Sequence, residues 1–260
     1  MAITTEAGYI TAKAAGVLSN ISKAAATVST TAKASWWTAT GVPTAGAVPT
    51  AAVVCDSALL GALNLPAVIG GNSRYIDESL LATNVANYTL HVVDRVVHSG
   101  ALNGTLVTAQ AVNTPALPAR APAAGVEWFL EFYTATGATA STATVAVTYT
   151  DTTTANLTAA VAANQAVRTQ VQIIPAVGKI IASVQSVTLS ISTGTAGNFG
   201  ITAQQRAGIA ASSVVAGVPD RLASILRSCA TNACLALVSD IGTTGSTTAA
   251  CSGYLGLIEG

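Results

Sequence analysis

The sequence predicts a mainly β protein: an antiparallel β-sandwich or jelly-roll-like domain with an extended N-terminal arm and a short helix-containing C-terminal extension. In VEWFLEFYT, Trp128, Leu130 and Phe132 alternate with polar or aromatic residues, which is strand periodicity. TATVAVTYTD alternates in the same way after a loop of small residues, as in a hairpin. Similar short runs recur at spacings typical of sandwiches and barrels. We expect three parts: an arm and linker at 1–50, the β-sandwich at 51–206 and the extension at 207–260.

The composition indicates a chain that works within an assembly. Only 8% of the 260 residues are charged, against about 25% in a typical soluble domain. The formal net charge is zero, so colloidal repulsion is weak and association is favoured. We therefore expect a homo-oligomer whose surfaces are covered by partners.

The charge balance and the hydropathy pattern argue against nucleic acid and membrane partners. Eleven basic and eleven acidic residues leave no positive stripe to neutralise phosphates. The longest apolar stretch is interrupted by Asp56, Asn64 and Pro66, so it is too broken to span a bilayer. The N-terminus has no basic segment followed by an apolar block, which predicts folding in a cytoplasm.

The N-terminal arm carries Lys13, Lys23 and Lys33 and almost no acids. Its apolar residues recur at roughly helical spacing, which predicts at best a short, weakly amphipathic helix. Two alternatives stay open: a partly disordered terminus, or an arm that orders on an acidic surface of a neighbouring subunit.

Trp36 and Trp37 are adjacent, so on an extended backbone their side chains point in opposite directions. At most one of them is then expected to face the core of its own domain. The other is assigned either to an intersubunit contact or to a lid over the domain's own edge.

The middle of the chain predicts several strands and little helix. Helix is expected only at Cys55 to Leu63 and as a single turn around Leu157 to Ala163. Besides the hairpin, strands are predicted at Tyr88 to Val97, Leu106 to Val112, Asn164 to Ile174, Ile180 to Ile191 and Phe199 to Gln205.

The extension contains the strongest helix signal, Pro219 to Ser228. Proline stands at the first helical position, Asp220 lies in the first turn and Arg227 in the last. A strand-like CLALVSDIG and a final GYLGLIE follow. This extension needs a surface to pack on, either the edge of the sandwich or a neighbour.

No catalytic, cofactor or metal site is expected. His91 and Asp94 lie on opposite faces of one strand, and His98 is interpreted as a surface residue. Glu127 and Glu131, roughly 13 Å apart along a strand, are interpreted as a solvated or subunit-facing edge, and Asp77 and Glu78 as exposed. The four cysteines are interpreted mainly as buried apolar residues; the alternatives are a disulfide from Cys229 to Cys234 or Cys251, or a metal site, for which the spacing is a poor match.

Arg95 and Arg120 stand out because charges are scarce. Each lies beside a segment that could meet an acidic partner, and arginine forms bidentate pairs with carboxylates at interfaces. Pairing with Asp94 or Glu131 of the same chain is an equal alternative. The candidate interface residues are Trp36, Trp37, Lys13, Lys23, Lys33, Arg95 and Arg120.

The segments LHVVDRVVHSG, TAQAVNTPALPAR and EWFLEFYTATGATASTATVAVTYTD resemble a group of tailed-bacteriophage virion proteins, as does the strand around Ser183 to Ser190. The resemblance covers about residues 88–192. It implies a structural role in the particle and no catalytic residues.

These observations lead to a hypothesis about function. We expect a virion protein, assembled in the host cytoplasm, that acts as a capsid decoration or cement subunit and binds the major capsid protein and copies of itself. The alternative is a tail or fibre component that binds host glycans through exposed aromatics such as Tyr75 or Trp37. An enzyme is not expected, but a cavity with convergent polar groups would reopen that possibility.

Overall fold

The chain is built mainly of antiparallel strands, which confirms the prediction of a mainly β protein. The computed structural model describes residues 3–29, 32–69, 72–213, 216–223, 225–241 and 246–260. The elements are helix α1 (Glu6–Ala14) and strands β1 (Val17–Ser29), β2 (Lys33–Ser35), β3 (Gly41–Val42), β4 (Val53–Val54), β5 (Arg74–Thr83), β6 (Tyr88–His98), β7 (Gln110–Ala111), β8 (Val126–Phe132), β9 (Ser141–Tyr149), β10 (Thr154–Val161), β11 (Thr169–Ile173), β12 (Ile181–Leu189), β13 (Phe199–Ser213), β14 (Asp220–Leu222), β15 (Arg227–Cys229), β16 (Leu235–Ile241) and β17 (Ser246–Glu259).

A closed barrel of six strands takes the place of the predicted pair of facing sheets. Its strand order is β13-β8-β11-β2-β16-β6, and the pairing of β13 with β6 closes it. The long strand β13 makes closure possible, because it pairs with β8 from Phe199 to Gln205 and with β6 from Thr202 to Ser213. Closure leaves the six strands without a free edge along these pairings.

Two further sheets pack on different parts of the barrel wall. The hairpin sheet has the order β10-β9-β12-β7, and its inward valines and leucines share a core with Trp128, Leu130 and Phe132 of β8. The terminal sheet has the order β14-β5-β17-β1-β3, with β15 also on β5. Its core includes Trp36 and Tyr88. The alternation that predicted β8 and β9 as strands is the alternation that fills the first of these cores.

The segment predicted as an N-terminal arm is folded onto its own chain. Strand β1 lies inside the terminal sheet between β17 and β3, and it pairs with β17 from Val17↔Leu257 to Ser29↔Ser246. The weak helical spacing is overridden because β1 alternates Ser19, Ile21 and Lys23 into the sheet's covered face. Neither alternative for the arm, a partly disordered terminus or an arm ordered on a neighbouring subunit, holds for the described residues 3–29. The extension packs on its own chain, which was one of its two alternatives. All three predicted parts of the chain contribute strands to the terminal sheet.

The predicted helix at Pro219 to Ser228 is also wrong. Asp220–Leu222 and Arg227–Cys229 are strands that pair with β5. Between them Leu226 has φ 43°, a left-handed conformation that a continuing helix excludes. The local helix signals lose to the edge of β5, whose backbone groups offer hydrogen bonds over most of the same segment.

Several other local predictions also fail. Cys55 to Leu63 forms turns, and the turn expected around Leu157 falls within strand β10. The strand expected at Leu106 to Val112 shortens to Gln110–Ala111. Strand β5 was not predicted, because prolines and glycines before it and its mixture of charged and apolar residues hide its period.

Candidate functional site

A buried ion pair occupies the inside of the barrel. Successive strand residues point to opposite sides, so β8 directs Trp128 and Leu130 outward to the hairpin sheet and Glu131 inward. There Arg95 Nη1 lies 2.8 Å from Glu131 Oε2, and each side chain is 1% exposed. The prediction that Glu131 belongs to a solvated edge is wrong. Of the alternatives for Arg95, the structure has the pairing within the chain.

Hydrogen bonds from neighbouring strands complete this ionic network. Arg95 Nη2 donates to the Tyr133 hydroxyl at 2.9 Å, and Thr202 Oγ1 donates to Glu131. The amides of Gln170 and Gln204 bond each other at 3.2 and 3.3 Å. These hydrogen bonds are required because a buried charge without partners is strongly destabilising.

Within the network, Arg95 is held as a cation. Burial by itself lowers the pKa of Arg95, but the Glu131 carboxylate leads the effects that raise it, and the net pKa lies above the ordinary value. Burial and Glu131 raise the pKa of Tyr133. These groups are therefore fixed as a cation and a neutral phenol at neutral pH. They converge with Glu131 inside the barrel, and each of these side chains is at most 5% exposed.

One end of the network contains His98 and two cysteines. His98 is 5% exposed and accepts a hydrogen bond from Arg95 Nε at 3.1 Å, so its interpretation as a surface residue is wrong. Both cysteines lie along one edge of β6. The Arg95 N–H donates to the Cys234 carbonyl, and the Cys55 N–H donates to the Val96 carbonyl, each at 2.8 Å. All four cysteines are free and buried, as the main interpretation of them predicted.

The other end of the barrel has a second polar group of side chains. His91 Nε2 lies 2.9 Å from Asp240 Oδ2, and Lys33 Nζ lies 3.8 Å from the same oxygen. The Lys33 ammonium also lies 5.5 Å from the centre of the Phe129 ring. Asp240 has a lowered pKa, chiefly through its hydrogen bond with His91 and against its burial. His91 thus has a carboxylate partner that lies about 150 positions away in the sequence, beyond the reach of local pattern analysis.

Arg120 forms an ion pair outside the barrel with Asp94, the residue before Arg95 in the chain. Its Nε lies 2.9 Å from Asp94 Oδ2 and its Nη2 lies 3.3 Å from Asp94 Oδ1, a bidentate pair. The Cys234 N–H also donates to Asp94 at 2.9 Å. The Arg120 side chain is 7% exposed. As with Arg95, the structure has the pairing within the chain and not a free interface arginine.

Both tryptophans are buried in core clusters of their own chain, so the expectation that at most one of them faces its own core is wrong. Of the two alternatives for the other tryptophan, the structure has cover by the chain itself and not an intersubunit contact. Trp36 packs in the core of the terminal sheet and donates from Nε1 to Ser239 Oγ at 3.1 Å. Trp37 packs edge-to-face on His98, lies beside the Arg95 guanidinium and donates to the Ala47 carbonyl. Trp37 is covered because the chain after it folds back, so that Gly46 and Ala47 lie against the indole.

The three lysines of the N-terminal segment also have partners within the chain. Lys13 pairs with the buried carboxylate of Asp77, which was predicted to be exposed. Lys23 is 3% exposed and donates to the carbonyls of Ala39 and Pro43 at 3.0 and 2.7 Å. Lys33 lies at the barrel end described above. The acidic groups and carbonyls that these lysines meet belong to this chain.

The open edge of the hairpin sheet is the best candidate for a partner surface. Strand β10, TANLTAAV, pairs with β9 on one side, and no other described strand pairs with it. Its outward side chains are Thr154, Asn156, Thr158 and Ala160, all exposed. It has no charge, no proline and no bulge, the devices by which soluble proteins protect such edges.

An apolar loop lies beside the β9–β10 turn, at the end of the hairpin sheet where β10 begins. Val177 is fully exposed at 104% and Ile174 is 69% exposed. Tyr149 and Asp151 fix the loop beside the β9–β10 turn, since the Tyr149 hydroxyl accepts from the Ala176 N–H at 3.4 Å and Asp151 pairs with Lys179. We call the edge of β10 and this loop the open-edge surface. This surface was not predicted, although the charge-free strand and the apolar IIPAVGK segment are visible in the sequence.

Comparisons with known proteins give no relative. No family model matches the chain, and neither the curated proteins nor the solved structures contain a match. Within the described ranges no helix is long and apolar enough to cross a membrane. In the same ranges no cluster of three or more His, Cys, Asp or Glu side chains is arranged to hold a metal ion. Any functional conclusion therefore depends on geometry and composition.

Proposed function

We propose that the chain is a structural subunit of a tailed-bacteriophage particle, a capsid decoration subunit that binds the shell and copies of itself. The observation that carries this proposal is the open-edge surface. A free strand edge binds a partner by adding a strand to the sheet, and its backbone groups supply hydrogen bonds in register. The apolar loop beside it adds hydrophobic burial to the contact.

The low charge of the chain supports this role. A subunit that must remain dispersed benefits from net charge, whereas one that works on a shell benefits from a surface that does not repel its neighbours. The region of resemblance, about residues 88–192, also spans the open-edge surface, although the matching segments themselves end at Asp151 and resume at Ser183.

The glycan-binding alternative receives less support. It needs exposed aromatic side chains as a platform, but Trp37 is 2% exposed and Tyr75 is half-buried in strand β5. We therefore retain the decoration subunit as the single proposal.

The test uses shells assembled from the major capsid protein of the same genome. The purified chain is added and its occupancy is measured by cosedimentation and electron microscopy. Val177→Glu places a charge on the apolar loop and Thr158→Lys places one on the β10 edge. We expect each variant to lower the affinity at least about tenfold, which corresponds to about 1.4 kcal/mol.

Val107→Glu is the matched control. Val107 is 50% exposed, and its loop contacts residues 193–196 beyond the far end of β12. The control variant should bind like the wild type. Equal occupancy for Val177→Glu, Thr158→Lys and the wild type would contradict the proposal, and so would a wild-type chain that does not bind shells.

A further inference from the structure

A cavity of about 510 Å³ lies between the barrel and the terminal sheet, within the usual size range of small-molecule sites. Ile76 of β5 and Leu235 of β16 are among its apolar lining residues. Three of the seven arginines of the chain also line it: Arg120, Arg206 and Arg227. In a chain with so few charges, this concentration of guanidinium groups is the most unusual feature of the cavity.

An irregularity in β13 forms one wall. The pairing of β13 with β6 passes from Arg206↔Val93 to Ile209↔Val92, so Ala207 and Gly208 bulge out of the ladder. Bulges redirect neighbouring side chains and are frequent beside binding sites. Gly208 has φ +75°, and a Cβ there would lie 2.6 Å from Arg227 Nε. The positive φ of Gly208 favours glycine at this position, and the Arg227 guanidinium packs directly on it.

The charges that line the cavity do not cancel. Asp94 on its floor is matched by Arg120, and Arg206 lies 3.5 Å from Glu127 in a partly exposed pair. Arg227 is exposed, and among the described residues it has no ion pair. Burial raises the pKa of the Cys229 thiol to about 11, so this lining group adds no negative charge at neutral pH. One positive charge is left without a counterion.

We propose that this cavity binds a monoanionic carboxylate that carries a short apolar body, with Arg227 and Arg206 as the carboxylate-binding residues. A single uncompensated guanidinium matches one negative charge, and its planar donors fit the two carboxylate oxygens. The apolar lining, which includes Ile76 and Leu235, contacts the body of the ligand. The carboxylate comes either from a free small acid or from the end of a peptide. This site does not depend on the proposed role in a particle.

The test is a titration of the isolated full chain, with isotope-labelled isoleucine and leucine methyl groups, by nuclear magnetic resonance. The probes are butyrate, its neutral isostere butyramide, and inorganic phosphate. We expect saturable shifts of the Ile76 and Leu235 signals with butyrate, weaker binding as salt increases, and no saturation with butyramide. Equal binding of the acid and the amide would overturn the proposal, and tighter binding of phosphate would overturn the carboxylate class.

Variants of exposed arginines show whether the guanidinium groups bind the probe. Arg227→Gln should weaken butyrate binding about tenfold, because a charge-assisted hydrogen bond is lost, and Arg206→Gln should weaken it less. Arg221→Gln is the control, since Arg221 is 60% exposed on the adjacent β14 and pairs with Glu78. Unchanged binding to Arg227→Gln, or an equal loss with Arg221→Gln, would overturn the proposal.

A final comparison identifies the source of the carboxylate. A short apolar peptide with a free C-terminus is compared with the same peptide carrying a C-terminal amide. Tighter binding of the peptide acid than of butyrate supports the site and indicates a chain terminus as its ligand. Weaker binding of the peptide acid also supports the site, and indicates a small free acid.

Discussion

The hairpin sheet and the terminal sheet pack on the same barrel but are assembled from very different parts of the chain. In the hairpin sheet, β9 and β10 are joined by a short turn and β12 follows within the same stretch, residues 141–189. In the terminal sheet, β1 pairs with β17 across more than 200 positions. The first sheet depends on nearby pairings and the second on pairings that form only when both ends of the chain meet.

This difference shows which interactions each sheet needs. A local hairpin loses little entropy on closure, so alternation and turn residues largely specify it. The terminal sheet requires a formed barrel to pack against, because its inward face shares a core with Trp36 and Tyr88. The barrel is thus the common support, and changes in it should affect both sheets.

The largest expected effect comes from breaking that support. Glu131→Gln leaves the buried Arg95 without a counterion, which should lower the free energy of unfolding by about 3–5 kcal/mol. Glu127→Gln on the same strand is the control, because its partner Arg206 is 3.5 Å away and 58% exposed; a change of at most about 1 kcal/mol is expected there. Denaturant unfolding measures both. Independent loss of one sheet in Glu131→Gln would show that the barrel does not couple them.

A matched pair of leucines separates the two sheets kinetically. Leu189 in β12 is 2% exposed and Leu255 in β17 is fully buried. Each leucine-to-alanine change should reduce stability by about 2–5 kcal/mol. Because local pairings form earlier, Leu189→Ala should mainly slow folding, whereas Leu255→Ala should mainly speed unfolding. Stopped-flow kinetics in denaturant distinguish these outcomes, and the reverse assignment would contradict the comparison.

The smallest effect concerns Lys23 in the terminal sheet. Burial lowers the pKa of Lys23 to about 8 from its ordinary 10.5. Between these values the unfolded chain binds more protons than the folded chain, so stability rises with pH in that window. Between pH 8 and 10 the free energy of unfolding of the native protein should therefore rise by about 1–3 kcal/mol relative to that of Lys23→Met.

The measurement is denaturant unfolding at a series of pH values. It is made in a Cys251→Ala background. Burial raises the pKa of the nearby Cys251 thiol from about 9 to about 12, so in the unfolded chain this thiol loses its proton in the same pH window and would change stability by itself. Parallel stability curves for the lysine and methionine variants would show that Lys23 is not held in a desolvated site.

The same contrast explains which features could be predicted from the sequence. Four strands could be predicted from the alternation of apolar and other residues within their own segments: β6, β8, β9 and β12. β14 and β15 could not be predicted, since their hydrogen-bond partner β5 is over a hundred positions away. The roles of the charged residues were missed for a similar reason. Glu131 looked like one residue of a polar edge, but the pairing of β8 with β11 and β13 places Gln170 and Thr202 beside it. Barrel closure then brings Arg95 to the same carboxylate.

The candidate surfaces were recoverable only in part. The charge-free β10 and the loop around Val177 can be recognised in the sequence once an edge is known to lie there. The arginine cavity cannot, because Arg120, Arg206 and Arg227 belong to segments that meet only after the barrel and the terminal sheet have formed.

The pairing of β1 with β17 has a consequence for synthesis on the ribosome. Strand β1 is translated more than 200 residues before its partner, which at cellular rates is roughly 10 to 50 s. Throughout that time an uncovered strand is available to other nascent chains. Products that stop before residue 246 never complete the terminal sheet, so prematurely terminated copies should be recognised by proteases and kept out of any assembly.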